Sequence, residues 1–240
     1  MEEKIKKIDS KKAIIGIVAL VVIAIIAVVG YVGYNDHNQK SLLKEELTAL
    51  SKKTLGKDDF NTEIKTSGDY AKVEKNIKEY LQKYSDAIKA VTEESAKISN
   101  IQGVVEKDKL EERINEAQQI KTNVENSINT LIEMSSEETI KKEIEKEGLS
   151  SKYVDLYNEL MIGNLSSKLA KEKETMSKTK DKVMELFDIL LKAYDYLLQH
   201  QDSWTVENNQ LMFSNSTDLR EYNKLVQELQ TKARLMSLTR

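Results

Sequence analysis

The residues that most often build metal or thiol sites are scarce in this chain. It has no cysteine, and its two histidines are His37 and His200. Zinc, copper and iron sites usually draw on Cys or His, so the sequence argues against a transition-metal centre, a Cys nucleophile and disulfide bonds. His200 is expected near a helix C-terminus, where its charged form favours the helix dipole. We expect no metal and no cofactor.

Carboxylates are abundant, but their spacing does not single out a site. Asp58 and Asp59, followed by Asn61 and Glu63, come nearest to a calcium loop, yet the glycine that an EF-hand requires is missing. We interpret this stretch as a solvated polar loop. Neither a glycine-rich phosphate loop nor a G-x-S-x-G elbow occurs in the sequence. The chain is therefore predicted not to be an enzyme; wall-polymer hydrolysis by acidic residues stays open as an alternative.

One short segment concentrates aromatic and sulfur-containing side chains. Residues with β propensity flank an Asn-Asn pair there, which predicts a small β-hairpin at about 203–214. Aromatic side chains on a projecting element can anchor a protein partner. The candidate partner-binding residues are Trp204, Met212 and Phe213. The alternative is that they fold back onto Tyr194 and Tyr196 and close the end of a helical domain.

The elements around this segment are predicted to be helices. The chain has no proline and only eight glycines, whereas good helix formers are plentiful. Apolar residues recur at alternating steps of three and four in four segments, at 70–98, 110–131, 183–197 and 219–236. The pattern predicts an all-α fold, namely an elongated antiparallel bundle of the four-helix type over 69–240. A stalk helix and loop are expected over 35–68.

A single transmembrane helix is predicted before the stalk. Residues 13–34 contain no charge, and thirteen of these twenty-two residues are Ile, Val or Leu. A helix of this length reaches about 33 Å, which matches the hydrocarbon core of a bilayer. A buried core helix is the alternative, but it would have to be surrounded on every side.

Charges flanking the span predict its orientation. Five lysines precede it within residues 1–12, so we expect a cytoplasmic basic tail and an extracytoplasmic C-terminal part. The membrane-interface residues are predicted to be Lys11 and Lys12 on the inner side and Tyr31 and Tyr34 on the outer side. A cleaved signal peptide is the alternative to this signal anchor, although its apolar region is usually shorter.

Together these features favour a function in binding rather than catalysis. Charged residues make up 32% of the chain but nearly cancel, with a net charge of -3, which argues against nucleic-acid binding. Richness in Lys, Ile, Asn and Glu is typical of low-GC Gram-positive bacteria. The leading hypothesis is a membrane-anchored, extracytoplasmic interaction or scaffold protein of the cell envelope, which binds a protein partner or itself. The alternative is an extracytoplasmic sensor or small-ligand-binding bundle that signals through a partner.

Overall fold

The computed structural model describes residues 38–98, 106–163, 166–208 and 210–238. The features predicted near the N-terminus lie outside these ranges, namely the span 13–34 and the interface residues Lys11, Lys12, Tyr31 and Tyr34. Among the described helices, none combines the length and the apolar character that a bilayer crossing requires.

The described chain is mostly helical, with seven α-helices and one antiparallel β-hairpin. The helices are α1 (Gln39–Leu50), α2 (Gly68–Lys97), α3 (Leu110–Met134), α4 (Glu137–Glu145), α5 (Ser151–Met161), α6 (Ser166–Gln199) and α7 (Ser216–Leu238). The hairpin pairs β1 (Trp204–Glu207) with β2 (Gln210–Phe213) and lies between α6 and α7. The predictions of a mainly helical fold and of a small hairpin are confirmed.

The contacts within the chain define two compact units. The first, called the loop unit, is described over 38–91, 127–163 and 166–177. The second, called the hairpin unit, is described over 92–98, 106–126, 178–208 and 210–238.

The predicted apolar stripe of α2 forms the core of the loop unit. Val73, Ile77, Tyr80 and Tyr84 are all buried. Both tyrosine hydroxyls find partners at the C-terminal end of α3: that of Tyr80 donates to the carbonyl of Met134, the last residue of the helix, and that of Tyr84 lies 3.1 Å from the hydroxyl of Ser135, the residue that follows. Because a buried hydroxyl without a partner is costly, these bonds allow polar tips inside an apolar core.

The segment between α1 and α2, residues 51–67, is called the strap. Five apolar side chains of α1 and the strap are buried: Leu43, Leu47, Leu50, Leu55 and Phe60. Gly56 has a φ of +77°, and a Cβ there would lie 2.7 Å from Ile88 Cγ2. Only glycine therefore fits this close approach to α2. The structure thus places residues 38–67 of the predicted stalk helix and loop inside the loop unit.

Polar interruptions in the predicted stripes are paired between helices of the hairpin unit. Glu94 of α2 accepts a hydrogen bond of 3.2 Å from the Asn123 amide of α3. Lys121 of α3 forms an ion pair of 2.5 Å with Asp188 of α6. These residues break the apolar period without breaking the packing, since each has a partner on a neighbouring helix.

Candidate functional site

The hairpin divides its side chains between two faces. Trp204 pairs with Phe213 across the strands, and Thr205 pairs with Met212. Cross-strand partners point to the same face, and the face alternates along each strand. The face of Trp204 and Phe213 is buried or half-buried, whereas the face of Met212 is exposed. Asn208 opens the turn with a φ of +50°, which Asn adopts more readily than most residues.

Trp204 fixes the hairpin to the end of α6. Its side chain is 1% exposed, and its indole N–H donates a hydrogen bond of 2.9 Å to the Leu197 carbonyl. The ammonium of Lys107 lies 5.2 Å from the centroid of the indole ring, within the range of a cation–π interaction. The Trp204 side chain is therefore part of the core of the hairpin unit.

The other two candidate residues lie further out. Phe213 is half-buried, and its ring centroid lies 5.4 Å from that of Tyr222 on α7. Met212 is 47% exposed. Of the three candidates, Met212 is therefore the one whose side chain is most available to a partner.

Two exposed leucines lie on α7, the helix that follows the hairpin. Leu219 is 41% exposed and Leu235 is 54% exposed. With Met212 they are the large apolar side chains that stand out as exposed in the described part of the chain. Six residues from the first twelve of α7 line a concavity of about 270 Å³, namely Ser216, Leu219, Arg220, Asn223, Lys224 and Gln227. We call Met212, Leu235 and these six residues the C-terminal surface.

The start of α7 is held to the end of α6 by polar contacts. Asn215 accepts a hydrogen bond of 2.8 Å from the Asp218 N–H, as a helix-capping side chain does. The Tyr196 hydroxyl donates to Asp218 at 3.0 Å. Hydrogen bonds from the Asn215 amide, Ser203 and Tyr196 outweigh partial desolvation and hold the pKa of Asp218 below its usual range. This carboxylate is therefore ionised at neutral pH and serves as an acceptor.

His200 lies where the sequence predicts it, at the C-terminal end of α6. Its Nδ1 lies 2.9 Å from the Tyr196 carbonyl, and its ring stacks on that of Tyr196 at 4.1 Å. The His200 backbone N–H donates to the same carbonyl at 3.1 Å, so the ring and the backbone of His200 both contact one acceptor in the last helical turn. His37 lies outside the described residues.

A buried charge cluster in the loop unit was not predicted. It consists of Glu46 on α1 and of Glu74 and Lys78 on α2, and we call it the Glu74–Lys78 cluster. The side chains of Glu74 and Lys78 are 0% and 1% exposed, and their charged atoms lie 2.6 Å apart. Lys78 also lies 2.8 Å from the Glu46 carboxylate and donates to the Glu63 carbonyl at 2.7 Å.

Glu74 receives the remaining bonds of this cluster from the strap. Its carboxylate accepts from the N–H groups of Lys65 and Thr66 and, at 2.7 Å, from the Thr66 hydroxyl. Burial raises the pKa of Glu74, but hydrogen bonds from Lys78, Lys65 and Thr66 outweigh this effect, and the net pKa is lowered. Such a carboxylate is not poised to exchange protons near neutral pH, so its geometry indicates a structural role.

In the sequence, this cluster looks like an ordinary surface pair. Glu and Lys four residues apart are a common feature of solvated helix faces. The strap and α1 cover them, and helical periodicity carries no information about the course of those segments. Their location next to the apolar residues Val73 and Ile77 is the one signal that the sequence offers.

Other acidic groups are engaged locally. Asp58 accepts from the Thr54 N–H at 2.6 Å, and Asp59 accepts from the Asn61 N–H at 2.9 Å. Across residues 38–98, 106–163, 166–208 and 210–238, no group of three or more His, Asp or Glu side chains is arranged to hold a metal ion. Comparison with known protein families, with curated proteins and with solved structures yields no significant match.

Proposed function

We propose that this chain is a membrane-anchored, extracytoplasmic interaction or scaffold protein of the cell envelope, without enzymatic activity. Its docking site is the C-terminal surface. The observation that carries the proposal is the location of Met212, Leu219 and Leu235, three exposed large apolar side chains that all lie on β2 and α7. Exposed apolar side chains that share one region are typical of a protein-binding surface.

The exposure of α7 along its length supports the same docking site. None of residues 216–236 is buried, although this helix carries a three-four apolar stripe. The two exposed leucines lie sixteen residues apart, about 24 Å along a helix axis. They also lie about 160° apart around that axis, on the two sides of the face that lines the concavity, so a partner must cover this whole face to contact both. Arg220 and Lys224 of this surface form ion pairs with Glu221 beside it, so charges of both signs lie at its edge, as expected at the rim of an interface.

An antiparallel four-helix-type bundle is the scaffold that we propose for this surface. Three contacts between consecutive long helices of the hairpin unit support it. They join α2 to α3 (Glu94 and Asn123), α3 to α6 (Lys121 and Asp188) and α6 to α7 (Glu185 and Lys232). The anchor at residues 13–34, with a cytoplasmic N-terminus, rests on the apolar run and the flanking lysines.

Site-specific cross-linking tests the docking site. The chain has no native cysteine, so a single Cys at position 219 or 235 can carry a photoreactive label without background. We expect cross-links to one discrete protein, or to a second copy of the chain, in native membranes. The matched control carries the same label on Lys141→Cys, at an exposed position of α4. The docking site is refuted if labels at 219, 235 and 141 give the same products.

A variant with two added charges distinguishes the loss of docking from the loss of folding. Leu219→Lys together with Leu235→Lys places two cations on the C-terminal surface at positions that are already exposed. The double variant should keep its helical circular dichroism and lose the cross-links of a label at position 212. Persistence of the full cross-linking yield in a folded double variant would argue against this surface.

A further inference from the structure

The strap runs along α2 in the opposite direction to the helix. Its backbone bonds to side chains at positions 74, 78, 82 and 85 of α2; Lys78 donates to the Glu63 carbonyl, and strap N–H groups donate to the other three. Gly56 donates to Ser85 at 2.8 Å, Phe60 donates to Gln82 at 2.6 Å, and Lys65 and Thr66 donate to Glu74. Residues of a helix spaced by three or four lie on one face. One polar face of α2 therefore binds the backbone of the strap over most of its length.

The same segment is fastened at its two ends. At one end, Gln39, the first residue of α1, accepts a hydrogen bond of 2.7 Å from the Ser67 N–H at the end of the strap. At the other end, the buried side chain of Leu55 and the close contact of Gly56 with Ile88 hold the strap against α2. The strap is thus fastened to the start point of α1, Gln39.

This start point lies close to the proposed anchor. The predicted span ends at Tyr34, and α1 begins at Gln39. Four residues separate them, and a chain of four residues spans at most about 14 Å. The loop unit must therefore lie beside the membrane surface if residues 13–34 span the bilayer.

We propose that α1 and the strap form a clamp that joins the membrane anchor closely to the loop unit, with the Glu74–Lys78 cluster as its fastening. The clamp takes the place of a flexible stalk. It keeps the loop unit close to the surface of the bilayer. This inference rests on the proposed membrane anchor.

The charges around the cluster explain why it fastens the clamp. Glu46 faces Lys78 from α1, Glu74 faces it from α2, and Glu63 and Lys65 form their own exposed pair on the strap. Removal of the Lys78 ammonium leaves the carboxylates of Glu46 and Glu74 together without the cation between them. Because unpaired buried charge is strongly unfavourable, we expect the strap to leave α2 in that case.

Distance measurements on the full-length chain in lipid nanodiscs test the clamp. Spin labels on Lys57→Cys and Lys89→Cys, two exposed positions, report the separation of the strap from α2. We expect one narrow distance distribution in the parent chain and a broad one in Lys78→Met. Lys75→Met is the matched control, because Lys75 forms an exposed ion pair with Glu79 on the same helix. A broad distribution in the parent chain, or equal distributions in both variants, would overturn the clamp.

A milder variant covers the case in which Lys78→Met does not fold. Glu46→Gln keeps the Glu74–Lys78 pair and removes only the charge from α1. It should broaden the distribution while the circular dichroism stays helical; a narrow distribution would count against the cluster as the fastening.

The coupling to the bilayer needs a separate measurement. A fluorophore on Ser41→Cys should be quenched by a headgroup-linked quencher, and ten Gly and Ser residues inserted after residue 37 should abolish this quenching. Quenching that survives the insertion would overturn this close coupling. Extraction of the chain from membranes by alkaline carbonate would instead overturn the proposed anchor, a result that the strap distance does not affect.

Discussion

Helices α2 and α7 share one sequence pattern and differ in how much of it is covered. Both carry apolar residues at alternating steps of three and four. In α2 the stripe residues Val73, Ile77 and Tyr84 are buried, whereas none of residues 216–236 on α7 is buried. The same periodicity therefore supports a core in one helix and a partly open surface in the other.

The difference arises from what packs around each helix. One face of α2 receives the strap through side-chain hydrogen bonds, and its tyrosines reach Met134 and Ser135 on another side. For α7, the contacts include the Phe213 ring of the hairpin and the ion pair of Lys232 with Glu185 on α6. An apolar stripe stabilises the fold only where it is covered. The uncovered part of α7 is available for a partner.

The largest expected effect is the difference in stability loss between substitutions of two lysines, Lys78 on α2 and Lys224 on α7. Lys78→Ala removes a buried cation and leaves two carboxylates facing each other, which should cost about 3–5 kcal/mol of unfolding free energy. Lys224→Ala removes an exposed pair with Glu221 and should cost less than about 1 kcal/mol. Urea unfolding followed by circular dichroism measures both. Equal losses would mean that the two helices are covered to a similar extent.

Truncation of one aliphatic side chain on each helix gives the next largest difference. Ile77 is buried and Leu219 is 41% exposed. Ile77→Ala should destabilise the chain by about 2–5 kcal/mol, because it leaves a cavity in the core. Leu219→Ala should change the stability by no more than about 0.5 kcal/mol. A loss above 2 kcal/mol at Leu219 would show that α7 is a core helix, and the docking proposal would then lose its basis.

The contribution of Glu74 should depend on pH. Its pKa is lowered in the folded state, so its stabilising effect is fully present above the pKa of the unfolded chain, about 4.3. The effect is lost as the pH falls through the lower pKa of the folded state. The stability difference between the parent chain and Glu74→Gln should therefore be largest near neutral pH and shrink below about pH 4. Urea unfolding at several pH values measures it, and a constant difference would mean that the carboxylate is not held ionised.

A glutamate of α7 is the control for this pH series. The pKa of Glu221 is also lowered, by hydrogen bonds from Lys224 and Arg220, but its carboxylate is exposed. Solvent screens such pairs, so Glu221→Gln should give a small difference at every pH. A pH response at Glu221 as large as that at Glu74 would remove the contrast between the two helices.

Helix positions could be predicted from the sequence because the apolar period is local information. Tyr80 and Tyr84 are buried on the stripe that the spacing predicts. The interruptions at Glu94 and Lys121 have partners, Asn123 and Asp188, that only the tertiary structure reveals. A period identifies the residues that share a face, but it does not identify what lies opposite that face.

The candidate sites show the same limit. Strand alternation predicts that Trp204 and Met212 point to opposite faces of a hairpin, since they occupy alternate positions in the register. It does not predict which face meets α6. The hydrogen bond from Trp204 to the Leu197 carbonyl decides that question. The Glu74–Lys78 cluster is a stronger case, because a strap with no regular period buries it.

The smallest expected effect concerns two tyrosines of the loop unit. The Tyr84 hydroxyl lies 3.1 Å from that of Ser135, whereas the buried Tyr157 hydroxyl has no hydrogen-bond partner in the described part of the chain. Tyr84→Phe should therefore cost about 1 kcal/mol, and Tyr157→Phe should leave the stability unchanged or raise it by about 1 kcal/mol. Because both replacements remove a single oxygen, urea unfolding compares the two sites directly. If Tyr157→Phe were the more destabilising replacement, the Tyr157 hydroxyl would have a hydrogen-bond partner in the folded chain. The hydrogen bond of Tyr84, on the α2 stripe, would then not be the one that contributes more to the stability of this core.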